Sequence, residues 1–237
     1  MNGPSEYLKS CWWRLVCRGR DGVNRLRFGA AGPLAAECLY IDPLQVRHFI
    51  ESRVTRHDTG RVLAGDWDDK RQPIDALPKI AICNRHFAEG LSWEAAGAYE
   101  HMAKLLQKKK APDGCRNMED VHRRYAALDD FYARLQQGAP YLTKQALGGK
   151  RRLREEGGVY IHVGHDGALL FGKRGCHRLA IARLLKLPAI PVQLGVVHAQ
   201  AVRQGLLQQL RSTSAELAAR HVQTTKAVSP GGQNVSH

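Results

Sequence analysis

Apolar positions recur along this chain with two periods, and their alternation divides it into helical and extended stretches. In SEYLKSCWWRLVCRGR, Leu8, Trp12, Leu15 and Val16 fall at i, i+4, i+7 and i+8. That spacing predicts a short amphipathic helix, rimmed by Lys9, Arg14, Arg18 and Arg20 and ended by Gly19 and Gly22. AAECLYIDPLQVRHFI predicts a short strand closed by Asp42-Pro43, with a helix after it. VLAGDWDDKRQPI is rich in turn residues and too polar for the interior of an element. Helices are predicted over 77–87, from a Ser92 cap to 106, and from an Asn117 cap to about Gln137. The last carries Val121, Tyr125, Leu128, Tyr132 and Leu135 on one stripe. Between the second and third, Lys108-Lys109-Lys110 with Pro112 and Gly114 reads as a solvated connector.

The period then changes. GVYIHV alternates, Asp166-Gly167 is a hairpin turn, and ALLF returns. A basic loop follows, then a helix over 177–186 with Ala180, Ile181, Leu184 and Leu185 on its buried face, then the strand AIPVQLGVV. Beyond Ser212 the composition predicts an unstructured tail ending in SPGGQNVSH. Helices and strands mixed in this order predict an α/β (α+β) fold.

Composition sharpens the picture. A chain of 237 residues with 43% hydrophobic content suits one domain with elaborations. A formal net charge of +14 points to polyanionic neighbours: nucleotide, nucleic acid, anionic membrane or phosphorylated glycan. The balance is uneven, because no Asp or Glu occurs between Asp166 and Glu216. Six scattered cysteines form no CxxC pair, which argues against zinc and against a disulfide framework and for reduced thiols in the cytoplasm. No apolar run reaches the roughly 18–20 residues of a membrane span, and the N-terminus lacks a signal peptide's apolar core. The basic N-terminal helix has two open fates: docking on its own domain, or lying on the inner face of an anionic membrane.

The acid-free tract contains FGKRGCHRLAIARLLKLPAIPV, where a thiol, an imidazole and a guanidinium stand at the mouth of a helix behind two glycines. Three readings compete: phosphate binding, thiol chemistry and ordinary helix capping. For the first, Gly172 and Gly175 allow close approach of the backbone, and Lys173, Arg174 and Arg178 supply charged donors. Cys176, His177 and Arg178 sit in the first turn, where free N–H groups and the macrodipole favour an anion. For the second, the same position should make the Cys176 thiol acidic.

GCHRLAIARLLKLPAIPV resembles the signature of the ParB/sulfiredoxin superfamily, in which G-x-x-R-x-x-A opens a helix and I-P-V closes the unit on the next strand. LQQGAPYLTKQAL resembles the entrance of that fold, and the likeness covers about Asp120 to Val197. Gly65–Asp68, GDWD, with the later EGLSWE, is similar to a subgroup of ParB-like proteins. The resemblance implies a ParB/sulfiredoxin-like domain over 37–200 with a helical insertion at about 70–137. It would be preceded by a basic segment (1–36) and followed by a C-terminal helix and tail (201–237). It also implies a loop that binds nucleotide phosphates, and three chemistries. Sulfiredoxins use a cysteine in Gly-Cys-His-Arg, matched here by Cys176. Partition proteins bind CTP and clamp DNA. Free serine kinases transfer phosphate to a hydroxyl. The expectation adopted is an ATP-dependent (or CTP-dependent) phosphotransferase or nucleotide-hydrolysing enzyme. A DNA-associated partition protein and a thiol redox enzyme are the alternatives. Phosphoryl transfer needs a carboxylate as base or Mg²⁺ ligand, and Asp66 and Asp68 are the candidates, with His177 as a further catalytic group.

Overall fold

The computed structural model describes residues 4–51, 54–148 and 153–228, with side chains from Cys11 to His221. Leu8 and Lys9 of the anticipated N-terminal stripe therefore lie outside the described side chains. The elements are α1 (Pro4–Phe28), β1 (Cys38–Ile41), β2 (His48–Ile50), β3 (Val62–Leu63), β4 (Arg71–Pro73), α2 (Pro78–Phe87), α3 (Ala98–Lys108) and α4 (Met118–Gln136). After them come β5 (Val159–Val163), β6 (Leu169–Phe171), α5 (Cys176–Leu184), β7 (Ile190–His198), α6 (Ala199–Arg203) and α7 (Leu206–Val228). This is the expected mixed α/β fold.

The sheet runs β1-β7-β5-β6-β2-β4, with β3 pairing β7 off that path. β5 and β6 form the anticipated antiparallel hairpin, and α5 then carries the chain over to β7, which lies parallel to β5 with Val159 opposite Val192. Both central strands are fully buried, and the polar His162 and Gln193 within them accept hydrogen bonds from Val196 N and Gly157 N. One hydrophobic core joins these strands to Ile80, Cys83, Met102, Val121 and Tyr125 of α2, α3 and α4. The anticipated insertion thus shares the sheet's core.

Several boundaries differ from expectation for physical reasons. α1 continues through Gly19 and Gly22 to Phe28. Two glycines cost about 1 kcal/mol each in a helix, but tertiary anchors on Asp21 and Asn24 override them. After Asp42 the chain makes only a single turn, capped by the Asp42 carboxylate, and then β2 in place of the expected helix, because β6 and β4 offer it hydrogen bonds on both sides. The polar VLAGDWDDKRQPI still supplies β3 and β4. β4 is an edge strand, where Pro73 is tolerated. Ser92 caps only a turn, and α3 begins after Gly97 in the left-handed region (φ 83°). α4 fits its prediction, with the Asn117 side chain accepting from Asp120 N. Where an unstructured tail was expected from Ser212, α7 continues to Val228, packed along β1. Among the described residues no helix is long and apolar enough to cross a membrane.

Candidate functional site

The basic loop was expected to cradle an anion, yet its two glycines serve the fold. A Cβ on Gly172 would lie 2.5 Å from Tyr160 Cδ1 and 2.6 Å from His162 Nε2. Gly175 holds φ 78° at the N-cap of α5, and a Cβ there would meet Val159 Cα at 3.0 Å. Their bare faces are turned to β5. The loop's cations also diverge. Lys173 Nζ lies over the Phe49 ring of β2 at 5.4 Å, and Arg174 is exposed. Arg178, by contrast, stacks on Tyr141 at 4.3 Å, donates to the Tyr141 hydroxyl at 3.1 Å and to Leu142 O at 2.7 Å, and borders a cleft.

That cleft has a volume of about 690 Å³ and lies between α4 and the segment 139–147. Its apolar lining comes from Ala127, Leu128, Phe131, Leu135, Leu142 and Leu147, of which only Leu135 is buried. Arg123, Arg124, Arg134 and Arg178 also line it. The two carboxylates beside it are already engaged, Asp120 by Arg123 and Asp113 by Lys79. Asp113 belongs to the stretch expected to be a mere connector, where it adopts a left-handed conformation (φ 54°). Burial works against its charge, but the Lys79 ammonium and the Arg124 guanidinium hold its carboxyl below the ordinary range.

The first turn of α5 meets this same cluster. His177 is 5% exposed and edge-on to Tyr125. Burial, with the Arg124 charge adding to it, pushes the imidazole down to about 3, so it is neutral. Three buried polar atoms in this region have no protein partner: His177 Nε2, Arg124 Nε and the Tyr125 hydroxyl. Buried polar atoms ordinarily find a partner, so three orphans around one anion-friendly corner mark a place where a ligand or water belongs. Cys176 corrects the expectation of an acidic thiol. Burial raises it to about 11, and the nearby Lys79 charge does not compensate.

The GDWD aspartates stand elsewhere. A Cβ on Gly164, just after β5, would touch Asp68 Oδ2 at 2.8 Å, whereas Gly175 abuts Val159 at the start of β5. Five residues of extended chain separate the two ends by about 17 Å. Nor do the two aspartates share a face, since Asp66 is exposed and Asp68 fully buried. Asp68 Oδ2 accepts from His165 N (2.8 Å), His165 Nδ1 (2.8 Å) and Arg71 Nη2 (3.0 Å), while Arg71 also clamps Asp166. Burial opposes the Asp68 charge, but these donors keep its carboxyl low.

Asp68, Asp69 and His165 bring three potential ligand atoms within 4.8 Å of one another, without Asp66. They do not fit Mg²⁺. An imidazole in the set suits a transition metal better, and the Arg71 guanidinium already supplies the positive charge that Asp68 calls for. Asp66 and Asp68 therefore contribute nothing to the cleft. Asp113, Arg123, Arg124 and Arg134, none of them singled out by motif, do. One signal for them was present: Arg124, Ala127, Leu128, Phe131 and Arg134 form a second helical stripe on α4, apolar in the middle with an arginine at each end.

Compared with protein-family models, with curated proteins and with solved structures, the chain shows no match to any.

Proposed function

We propose that this chain binds a nucleotide in the cleft between α4 and the 139–147 segment. The observation that carries the reading is the combination of four arginines with an apolar lining, beside two unpartnered buried nitrogens, Arg124 Nε of α4 and His177 Nε2 of α5. Guanidinium groups pair with phosphate oxygens through parallel hydrogen bonds. The apolar lining residues Leu128, Phe131 and Leu142 suit a planar base, and a volume of about 690 Å³ is ample for one nucleotide. His177 is buried and is not among the residues that line the cleft, and its low basicity does not suit a proton acceptor.

The reaction class proposed for this site is ATP-dependent phosphoryl transfer to a hydroxyl-bearing acceptor, in the cytoplasm, by a ParB/sulfiredoxin-like enzyme. The support for that step is the sequence resemblance together with Asp113, a carboxylate that lines the cleft and whose charge acts on His177. No lining carboxylate is unpaired, so Mg²⁺ would enter on the nucleotide's own phosphates. The raised Cys176 thiol removes the premise of the thiol redox reading.

Calorimetry and hydrolysis assays with ATP, ADP, CTP and tripolyphosphate, with and without Mg²⁺, test the proposal. Arg134 is exposed and has no ion-pair partner among the described residues, so Arg134→Ala perturbs binding without disturbing the fold. Losing one charge-assisted contact should weaken ATP about tenfold or more. Arg178→Ala should lose affinity and also stability, since it holds Tyr141 and Leu142 in place. Absence of any nucleotide or polyphosphate binding, or unchanged affinity in Arg134→Ala, would refute the assignment. Selective CTP binding without turnover would transfer it to a DNA-associated partition protein.

A further inference from the structure

α1 presents two opposite faces, and only one of them is used by the fold. On the docked face, Cys17 is completely buried and Trp13 meets His57 edge-on at 4.9 Å. Arg20 donates to His57 O, Asp21 accepts from Ala35 N and pairs with Arg154, and Asn24 donates to Pro33 O and Gly60 O, both at 2.7 Å. On the other face Trp12 is 69% exposed, Leu15 59%, Val23 52% and Leu26 89%. These four fall on one side of the helix, in two pairs with Gly19 and Gly22 between them, so they share one apolar face. The sequence pattern assigned Trp12 and Leu15 to a face that could dock or lie on a membrane. The structure docks the neighbouring face and leaves this one open to solvent.

We propose that this stripe is an in-plane anchor for anionic lipid bilayers. At 100° per residue, Arg14, Arg18 and Arg25 run along one flank of the stripe and Arg27 along the other. The one carboxylate among the described side chains of α1 is Asp21, which is spent on the docked face. Apolar residues with a row of arginines on one flank and Arg27 on the other match the acyl boundary and the head-group phosphates of an anionic leaflet. A second copy of this chain would be a poor occupant. Pairing two such faces sets arginine rows against each other with no acid between them, and each molecule already carries a formal charge of +14. The surface is independent of the cleft, and so is its test.

The experiment is co-sedimentation of the full chain with vesicles of phosphatidylcholine alone and of phosphatidylcholine mixed with phosphatidylglycerol, at low and physiological ionic strength. Binding is expected only to the mixed vesicles. It should weaken as the Debye length shortens to about 8 Å, and tryptophan emission should shift to the blue. Leu15→Glu with Leu26→Glu alters two exposed positions, so circular dichroism and melting should be unchanged while vesicle affinity falls about tenfold or more. Arg18→Gln and Arg25→Gln should each cost about fivefold. Three results would overturn the proposal. The full chain fails to bind mixed vesicles at low salt and shows no emission shift. The double glutamate variant binds as well as the unmodified chain. Or a concentration-dependent dimer in lipid-free solution is abolished by that variant, which assigns the face to a second copy.

Discussion

Two buried histidines should set the acid stability of this protein. His162 is 1% exposed, and its Nδ1 accepts from Val196 N at 2.9 Å; His177 is 5% exposed. Burial pushes each down to about 3, against an unfolded value of about 6.5. The sign follows directly. Between those values the unfolded chain binds protons that the folded one refuses, so stability is complete above about pH 6.5 and is lost as pH falls toward about 3. Each histidine costs about 1.4 kcal/mol per pH unit within that window, so the pair costs about 4 kcal/mol at pH 5. His101 and His221 are held down by burial as well and act in the same direction. Asp68, Asp113 and Asp166 are held below the ordinary carboxylate range, so their losses come only at lower pH. Total stability for a domain is about 5–15 kcal/mol, so the loss should be plain in urea unfolding followed by circular dichroism at about pH 7 and about pH 5. His162→Asn keeps an acceptor near Val196 N but cannot take up a proton, and should remove about half of the pH dependence. Equal stability at the two pH values, or an undiminished slope in the variant, would refute the reasoning.

Two further outcomes follow from the loop before α5. Cys176, raised to about 11 by burial, should react with iodoacetamide at neutral pH far more slowly than an ordinary exposed thiol, and Cys176→Ser should retain nucleotide binding; rapid labelling mapped to Cys176 by mass spectrometry would contradict this. Gly172→Ala should destabilise the fold by about 1–3 kcal/mol in denaturant titrations, because the new methyl would collide with the rings of Tyr160 and His162; an unaffected midpoint would mean that the loop has room for a ligand after all.

Local sequence determined those elements whose signals are complete within a short window. The Asp166-Gly167 hairpin needs only alternation and a turn dipeptide, α4 only an Asn117 cap and an apolar stripe, and β7 only a short, mostly apolar run rich in β-branched residues. The overall mixed α/β class followed from their order. Tertiary structure decided everything that depends on which surface a residue meets. A helical wheel places Trp12 and Leu15 together on α1, but Asp21 and Asn24 find carbonyl and amide partners on distant segments and so choose the opposite face for docking. Spacing puts Cys176 and His177 at a helix mouth that should favour charge, but α2 packs on α5 and Tyr125 of α4 lies edge-on to His177, and desolvation outweighs the dipole. Asp66 and Asp68 satisfied the chemistry asked of them as residue types, and the run of β5 set them at the other end of the sheet. The arginines of α4 carried no motif. They line a cleft because segment 139–147 lies beside them and Arg178 of α5 donates to Leu142 O there, a convergence of chain segments that no local pattern encodes.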